Sequence, residues 1–446
     1  MELIRQQYGL VALRLGYSQG SRTEGERRDV TCSLRGPDAD GGDWRVPASG
    51  IPLLATTAQT RSDAGVEEGL VECVRRLRAS PAVGRLRENR EALWLAVTAE
   101  HPLLAGVAWE RGLAAVGLPV LRLPGQLNTA PTTSPPRPRV AVCASVPMAK
   151  ARFQADDLVD QVLYAVKRVN AAAEVHVFAD AEWAPRLRDR LGRRARVHDP
   201  RREGPHDVAR RSTRPGGDPL ADQQPWLAWI EEQMEGRVDI LHLIGQGYLA
   251  AGQGAFAVAE APDHNYDTRT ARFVWPQQIA GFMTATGAWG LVATAAEQNY
   301  SVPGLRLLTS QAAALRAAAT AFLDISERAG PSLIRSVYRL LLHYPAPVPS
   351  ATRGLTLIMH PGRFGLEAPE TTTYRPARTE LASLVASGED LPAWMVGAQH
   401  QVRQWETELS FDSVAGRVES TRTALEVAKA RLDEVMRTAR QSGGPA

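Results

Sequence analysis

From Ala92 onward the chain alternates short apolar runs with stretches of helical periodicity, and this alternation restricts the fold more than any other feature. The runs LWLAVTAE, GLPVLRLP, PRVAVCASVP and EVHVFAD are rich in β-branched residues and bounded by Pro, Gly and Asp, the pattern of strands buried on both faces. After the third run, Asp156 and Asp157 suit the start of a helix, and Leu158, Val159, Val162, Leu163 and Val166 share one face at helical spacing. The result is a βαβ unit. An aromatic-rich helix near Trp226, Leu227, Trp229, Ile230 and Met234 feeds the strand VDILHLIG, which ends in Gly245 and Gly247, and a further strand, WGLVATAA, covers Trp289 to Ala296. Alternation of this kind predicts an α/β fold with a mostly parallel sheet flanked by helices. Any site is expected at the carboxyl ends of the strands.

Three regions are expected. Residues 1–90 read as a small mixed α+β module, with a strand at Tyr8 to Leu15, a loop at Gly36 to Asp43 and a helix from Gly65 to Arg78. Residues 91–345 hold the α/β domain, interrupted from Pro124 to Pro138 by an extended Pro-rich connector. Residues 346–446 form a helical C-terminal region. There Phe411, Val414, Val418, Thr421, Leu425, Ala428, Leu432 and Val435 recur in steps of three and four, a heptad-like seam over 411–436. Such a seam wants a partner helix, either the segment Leu391 to Leu409 or another chain in a homo- or hetero-oligomer.

Charge and cysteine usage exclude several classes. The 52 basic residues against 49 acidic ones give a net charge of +3, too small for a protein built mainly to coat nucleic acid. Cys32, Cys73 and Cys143 show no CxxC or metal-ligand spacing, so neither a disulfide framework nor a metal is expected, and no cofactor motif is present. GQGYLAAGQGAF lacks the spacing of a dinucleotide loop. Without a secretory leader pattern at the start or an apolar stretch of about 18 residues, the expectation is a cytoplasmic protein with no membrane partner. Charge is concentrated locally, however. Between Glu182 and Pro215 lie 11 arginines against 5 acids, interrupted by Pro200, Pro205 and Pro215. This stretch reads as a solvated basic excursion from the sheet, and Arg193, Arg194, Arg201 and Arg202 are its candidate contacts for nucleic acid or an acidic partner.

Two strand ends carry the functional reading: ILHLIGQGYL at 240–249 and LVATAAEQN at 291–299. They resemble the HxxGHG and LxACE segments of CHAT domains, cysteine peptidases related to caspases. His242, Gly245 and Gly247 match the first segment; Leu291, Ala295 and Glu297 match the second. Upstream, AGVAWERGLAAVGLPVLRLP resembles the family's PWE segment and following strand through Trp109, Glu110 and Arg122, with Ala108 where Pro is usual. The resemblance spans about residues 92–345 and implies a caspase-like sheet. It also implies that the family's catalytic His falls on Gln246 and its catalytic Cys on Ala296.

Those two departures decide the chemistry expected. A caspase-type peptidase needs a thiolate nucleophile and an imidazole that moves its proton. Alanine has no nucleophile, and glutamine does not titrate near neutral pH. Substitutes are not evident. His242 lies two pleats deeper on the face of Gln246 and reads as a satisfied core residue. Cys143 reads as a buried thiol, His264 as a surface loop residue, and Ser301 and Thr294 lack an evident base. The resemblance therefore implies a degenerate pseudo-protease that binds proteins as a regulator or scaffold, in a bacterial antiviral or conflict system. An active protease, a sensor or an effector would be its partner. Two alternatives stay open: an active endopeptidase of the family met in an inactivated form, and a nucleic-acid- or nucleotide-responsive sensor using the Arg-rich segment.

Overall fold

In the computed structural model, the described residues are 5, 8–17, 30–37, 39, 43–46, 69–97, 102–124, 135–146, 151–203, 224–250, 252–264, 271–295, 302–316, 319–324, 330–349 and 354–366. The chain divides into two compact units, residues 1–369 and 370–446, and every described residue belongs to the first. The heptad-like segment 411–436 lies outside the described residues.

The first unit begins with β1 (Ala12–Tyr17), β2 (Val30–Arg35) and β3 (Asp43–Val46), then α1 (Val71–Ala79), α2 (Pro81–Glu88), β4 (Leu93–Val97), α3 (Trp109–Leu113) and β5 (Val120–Arg122). It continues through β6 (Arg139–Ser145), α4 (Ala151–Val169), β7 (Glu174–Ala179), α5 (Trp183–Leu191), β8 (Arg196–His198), α6 (Pro225–Gln233), β9 (Ile240–Ala250), β10 (Gln253–Val258) and β11 (Arg272–Val274). It closes with α7 (Pro276–Thr286), β12 (Gly290–Ala295), α8 (Val302–Leu315), β13 (Ala319–Leu323), α9 (Gly330–Leu342) and β14 (Leu355–Met359). These strands form one connected sheet in the order β3-β2-β1-β4-β5-β14-β13-β12-β9-β6-β7-β8, with β10 and β11 as a ribbon continuing from β9.

Two parallel blocks make up this order. The strands β13, β12, β9, β6, β7 and β8 run one way. The strands β1, β4, β5 and β14 run the other, and the blocks meet at the antiparallel pair β13–β14. Alternating side chains send Val140, Val142 and Ala144 of β6 to one face and Ala141 and Cys143 to the other. The first face packs on α4, α5 and α9, whose Leu158, Val162, Leu187, Ile334 and Val337 are buried there. The second packs on α6, α7 and α8 through Trp226, Trp229, Ile279, Phe282 and Leu305. Pro225 opens α6 at a position that needs no N–H, and the Gln224 side chain accepts from the Trp226 backbone at 2.8 Å. Thus the α/β architecture with a mostly parallel sheet and helices on both faces is as expected.

Three boundaries differ from the sequence reading. Residues 1–90 do not carry a sheet of their own, because β1 pairs in parallel with β4 from Ala12 opposite Trp94 to Leu15 opposite Val97. A strand that finds its partner about 80 residues away leaves no local trace of it in the sequence. The region after residue 345 is not wholly helical, since β14 supplies a central strand. Its five-residue run LTLIM is too short for periodicity to separate a strand from a turn of helix. Finally, the Arg-rich stretch is no loop over its described part: residues 183–191 are helix α5 and 196–198 are strand β8, followed by a helical turn at Pro200–Glu203.

Candidate functional site

Strands β9, β6 and β12 reach the carboxyl edge of the larger block together. Gly245 pairs with Ser145 on one side and Ala295 on the other. Beyond Gly245, β9 leaves these neighbours and pairs with β10, Gln246 lying opposite Ala257 and Gly247 opposite Phe256. Gly245 is required at the divergence: a Cβ there would lie 2.4 Å from the Ser145 carbonyl oxygen and 2.7 Å from the Phe256 ring. Gln246 and Gly247 are half-buried at this edge. Ala296, Glu297 and Ser301 lie outside the described residues, and β12 is described up to the residue before Ala296.

Below the edge, His242 is fully buried. Its Nδ1 lies 2.7 Å from the Tyr338 hydroxyl and its Nε2 lies 2.8 Å from Thr294 Oγ1. Burial pushes its pKa down to about 3, so the ring is neutral throughout the physiological range. The expectation of a satisfied core histidine holds. The view that Thr294 has no evident base does not, because alternation on two adjacent parallel strands sets its hydroxyl against His242. Yet Thr294 and His242 are both fully buried, and the pair is an internal hydrogen-bond chain with no exposed nucleophile.

The cysteines do not complete a dyad. Cys143 faces α6 and α7, on the side of the sheet opposite His242, and burial pushes its thiol pKa up. Cys32 and Cys73 hydrogen-bond each other inside the separate core of β1–β5 and α1–α3. His264 is exposed, its Nδ1 3.8 Å from Glu260. Among the described residues no three His, Cys, Asp or Glu side chains converge as a metal would need.

Trp109, Glu110 and Arg122 do come together. The Arg122 guanidinium donates to Glu110 through Nε at 2.5 Å and Nη2 at 2.9 Å, with both side chains 3% exposed. Its remaining N–H groups reach the carbonyls of Ala105 at 2.5 Å and Val107 at 2.7 Å. Arg306, buried in the apolar helix α8, donates to the carbonyl between them, Gly106, at 3.0 Å. Thr356 donates to Glu110 at 3.2 Å, and the Trp109 indole donates to Leu104 at 2.7 Å. Three consecutive carbonyls are thereby clamped by two buried arginines, which fixes the turn carrying Trp109 and Glu110. Arg306 was missed from the sequence. A lone Arg within VPGLRLLTSQAAAL was the available signal, since a cation in a buried helix needs partners.

An aromatic ledge stands on the ribbon. Tyr248 is exposed and stacks on Phe273 at 4.4 Å between centroids, and Trp275 follows at 6.0 Å from Phe273. Among the described residues β11 pairs with β10 alone.

The four basic candidates do not form one patch. Arg193 and Arg194 precede β8 and Arg201 and Arg202 follow it, which separates the pairs by about 10 Å along a three-residue strand. Arg194 donates to Asp160 at 3.0 Å, and Arg190 reaches Asp160 at 2.5 Å and also Asp157. Much of this basic stretch therefore neutralises the acids of α4.

No family model, curated protein or solved structure matches this chain. Among the described residues, no helix is long and apolar enough to cross a membrane. The fold and site define an α/β protein with a mostly parallel sheet, in which β9 leaves its two neighbours at Gly245.

Proposed function

We propose that this chain is a catalytically degenerate CHAT-type, caspase-like protein that binds other proteins as a regulator or scaffold. One observation supports the reading: the two strands that resemble the family's catalytic segments are direct neighbours, paired in parallel up to Gly245 opposite Ala295; by the resemblance, Gln246 follows where the family has its imidazole. Glu110 and Arg122, which carry the upstream resemblance, also meet in one buried pair. Glutamine and alanine supply neither proton transfer nor a nucleophile, so the edge serves binding. The Tyr248–Phe273 ledge and the outer side of β11 suit an extended segment that adds as a strand and anchors an apolar side chain. The partner would be an active protease, sensor or effector of the same bacterial defence system, within a cytoplasmic setting.

Rebuilding the lost dyad tests the assignment. Ala296→Cys alone is expected to give a thiol that iodoacetamide alkylates at an ordinary rate; combined with Gln246→His, the thiol should react several-fold faster at pH 7 because an adjacent imidazole favours the thiolate. Equal rates in the two variants would show that positions 246 and 296 are not a catalytic pair and would remove the CHAT reading. Cleavage of a peptide library by the purified unmodified protein, surviving inhibitors of contaminating proteases, would remove the inactivity.

A further inference from the structure

At the amino edge of the same parallel block lies an open groove of about 660 Å³, formed where β6, β7 and β8 begin and where the chain enters β9. Arg139, Lys167, Arg193, Arg194, Arg196 and Arg237 line it, against the two acids Glu174 and Glu235. Some of this charge is committed. Lys167 donates to the Ala173 carbonyl at 2.5 Å, Arg139 faces Glu174 at 3.6 Å, and Arg194 pairs with Asp160. A cation at the end of α4 also offsets the negative end of that helix, so its presence alone says little. Arg193, Arg196 and Arg237 differ: among the described residues they have neither an acid nor a carbonyl partner. They come from two segments, Arg193 and Arg196 at the entry to β8 and Arg237 before β9.

We propose that this groove binds the phosphodiester backbone of nucleic acid, independently of the protein-binding reading of the carboxyl edge. A guanidinium forks onto phosphate and carboxylate alike, and a row of them suits the evenly spaced phosphates of a nucleic-acid backbone. The four strand starts β9, β6, β7 and β8 stand side by side across about 14 Å, the rise of about four nucleotides along one strand of a duplex. A small nucleotide would need an enclosed pocket with a stacking surface, whereas this trough is open and has no Phe, Tyr or Trp among its lining residues. The ligand is therefore held by its backbone, without reading sequence. The groove's positive field already acts on one buried group. His176, whose ring lies 3.0 Å from His198, has its pKa pushed down to about 4, by burial first, then by His198, Arg139 and Arg196.

The test uses the full chain and a fluorescein-labelled 20-base-pair duplex of arbitrary sequence, followed by anisotropy between 50 and 200 mM salt. With three unpaired guanidiniums engaged, log affinity is expected to fall against log salt with a slope of about −3. The triple change Arg193→Glu, Arg196→Glu and Arg237→Glu should weaken binding at least tenfold and flatten the slope while the thermal unfolding curve stays in place. Arg201→Glu, at the far end of β8, should leave affinity unchanged. Salt-independent binding, an unaffected triple variant, or equal loss from Arg201→Glu would overturn the assignment. So would free triphosphate binding as tightly as the duplex, which would make the groove a small-anion site. The dyad-rebuilding experiment at positions 246 and 296 does not touch these residues, so the two readings fail separately.

Discussion

Arginine does opposite work at two places in this molecule. In the interior, Arg122 and Arg306 are almost wholly buried and direct their donors to Glu110 and three successive carbonyls. At the amino edge, Arg193, Arg196 and Arg237 line an open groove with no partner among the described residues. The first pair holds a turn in place. The second set contributes little to folding and is available to bind. Burial and partner supply, rather than the residue type, separate a structural cation from a functional one.

The largest expected effect falls on the buried set. Arg122→Ala leaves the Glu110 carboxylate uncompensated in the core and frees two carbonyls, so urea unfolding should show a loss of about 3–5 kcal/mol. A loss below about 1 kcal/mol would mean that this arginine is no more structural than those of the groove. Acid should act next, through the two histidines held neutral. Both have folded pKa values, about 3 for His242 and about 4 for His176, below the usual 6.5. Well above pH 6.5 neither state is protonated and the shift has no effect. As pH falls through 6.5 the unfolded chain takes up protons that the folded one does not, so stability declines until each folded pKa is reached, about 4 for His176 and about 3 for His242. By pH 5 the cost reaches about 2 kcal/mol per histidine, and replacing His242 with Gln should flatten its share of the pH profile.

Gly245→Ala should cost about 1–3 kcal/mol, because its Cβ meets a backbone oxygen and an aromatic ring that cannot both retreat. Thermal unfolding with and without Phe256→Leu tells whether the ring or the backbone sets the penalty. The smallest effect is expected at the amino edge. Arg193→Glu should change stability by no more than about 0.5 kcal/mol, since the side chain is exposed and has no partner among the described residues. A clear loss there would remove the contrast between the two sets.

The strands from Leu93 to Ala179, and later β9 and β12, were legible because each is a short apolar run between turn residues. Helix α4 was legible because its buried Leu158, Val159, Val162, Leu163 and Val166 repeat at helical spacing. By contrast, β8, β13 and β14 were not read as strands, although β4 and β5 are no longer than they are. At the candidate site, the sequence marked both motif strands but not their direct pairing, and the core role of His242 followed from its apolar neighbours. Its partners Tyr338 and Thr294 were not foreseeable, being 96 and 52 residues away.

The sequence alone marked the strands from Leu93 to Ala179, β9, β12 and helix α4, and it set Gln246 and Ala296 where the resemblance would call for His and Cys. Both are properties of local order: period, bounding residues and spacing. Only the tertiary structure decided that the N-terminal strands share one sheet with the rest, that Arg122 and Arg306 close on one turn, and that Arg237 lines one groove with Arg193 and Arg196, none of the three with a partner among the described residues. Those outcomes depend on which distant strands pair and which acids they bring along, and no local pattern encodes the partner of a strand or the counter-ion of a guanidinium.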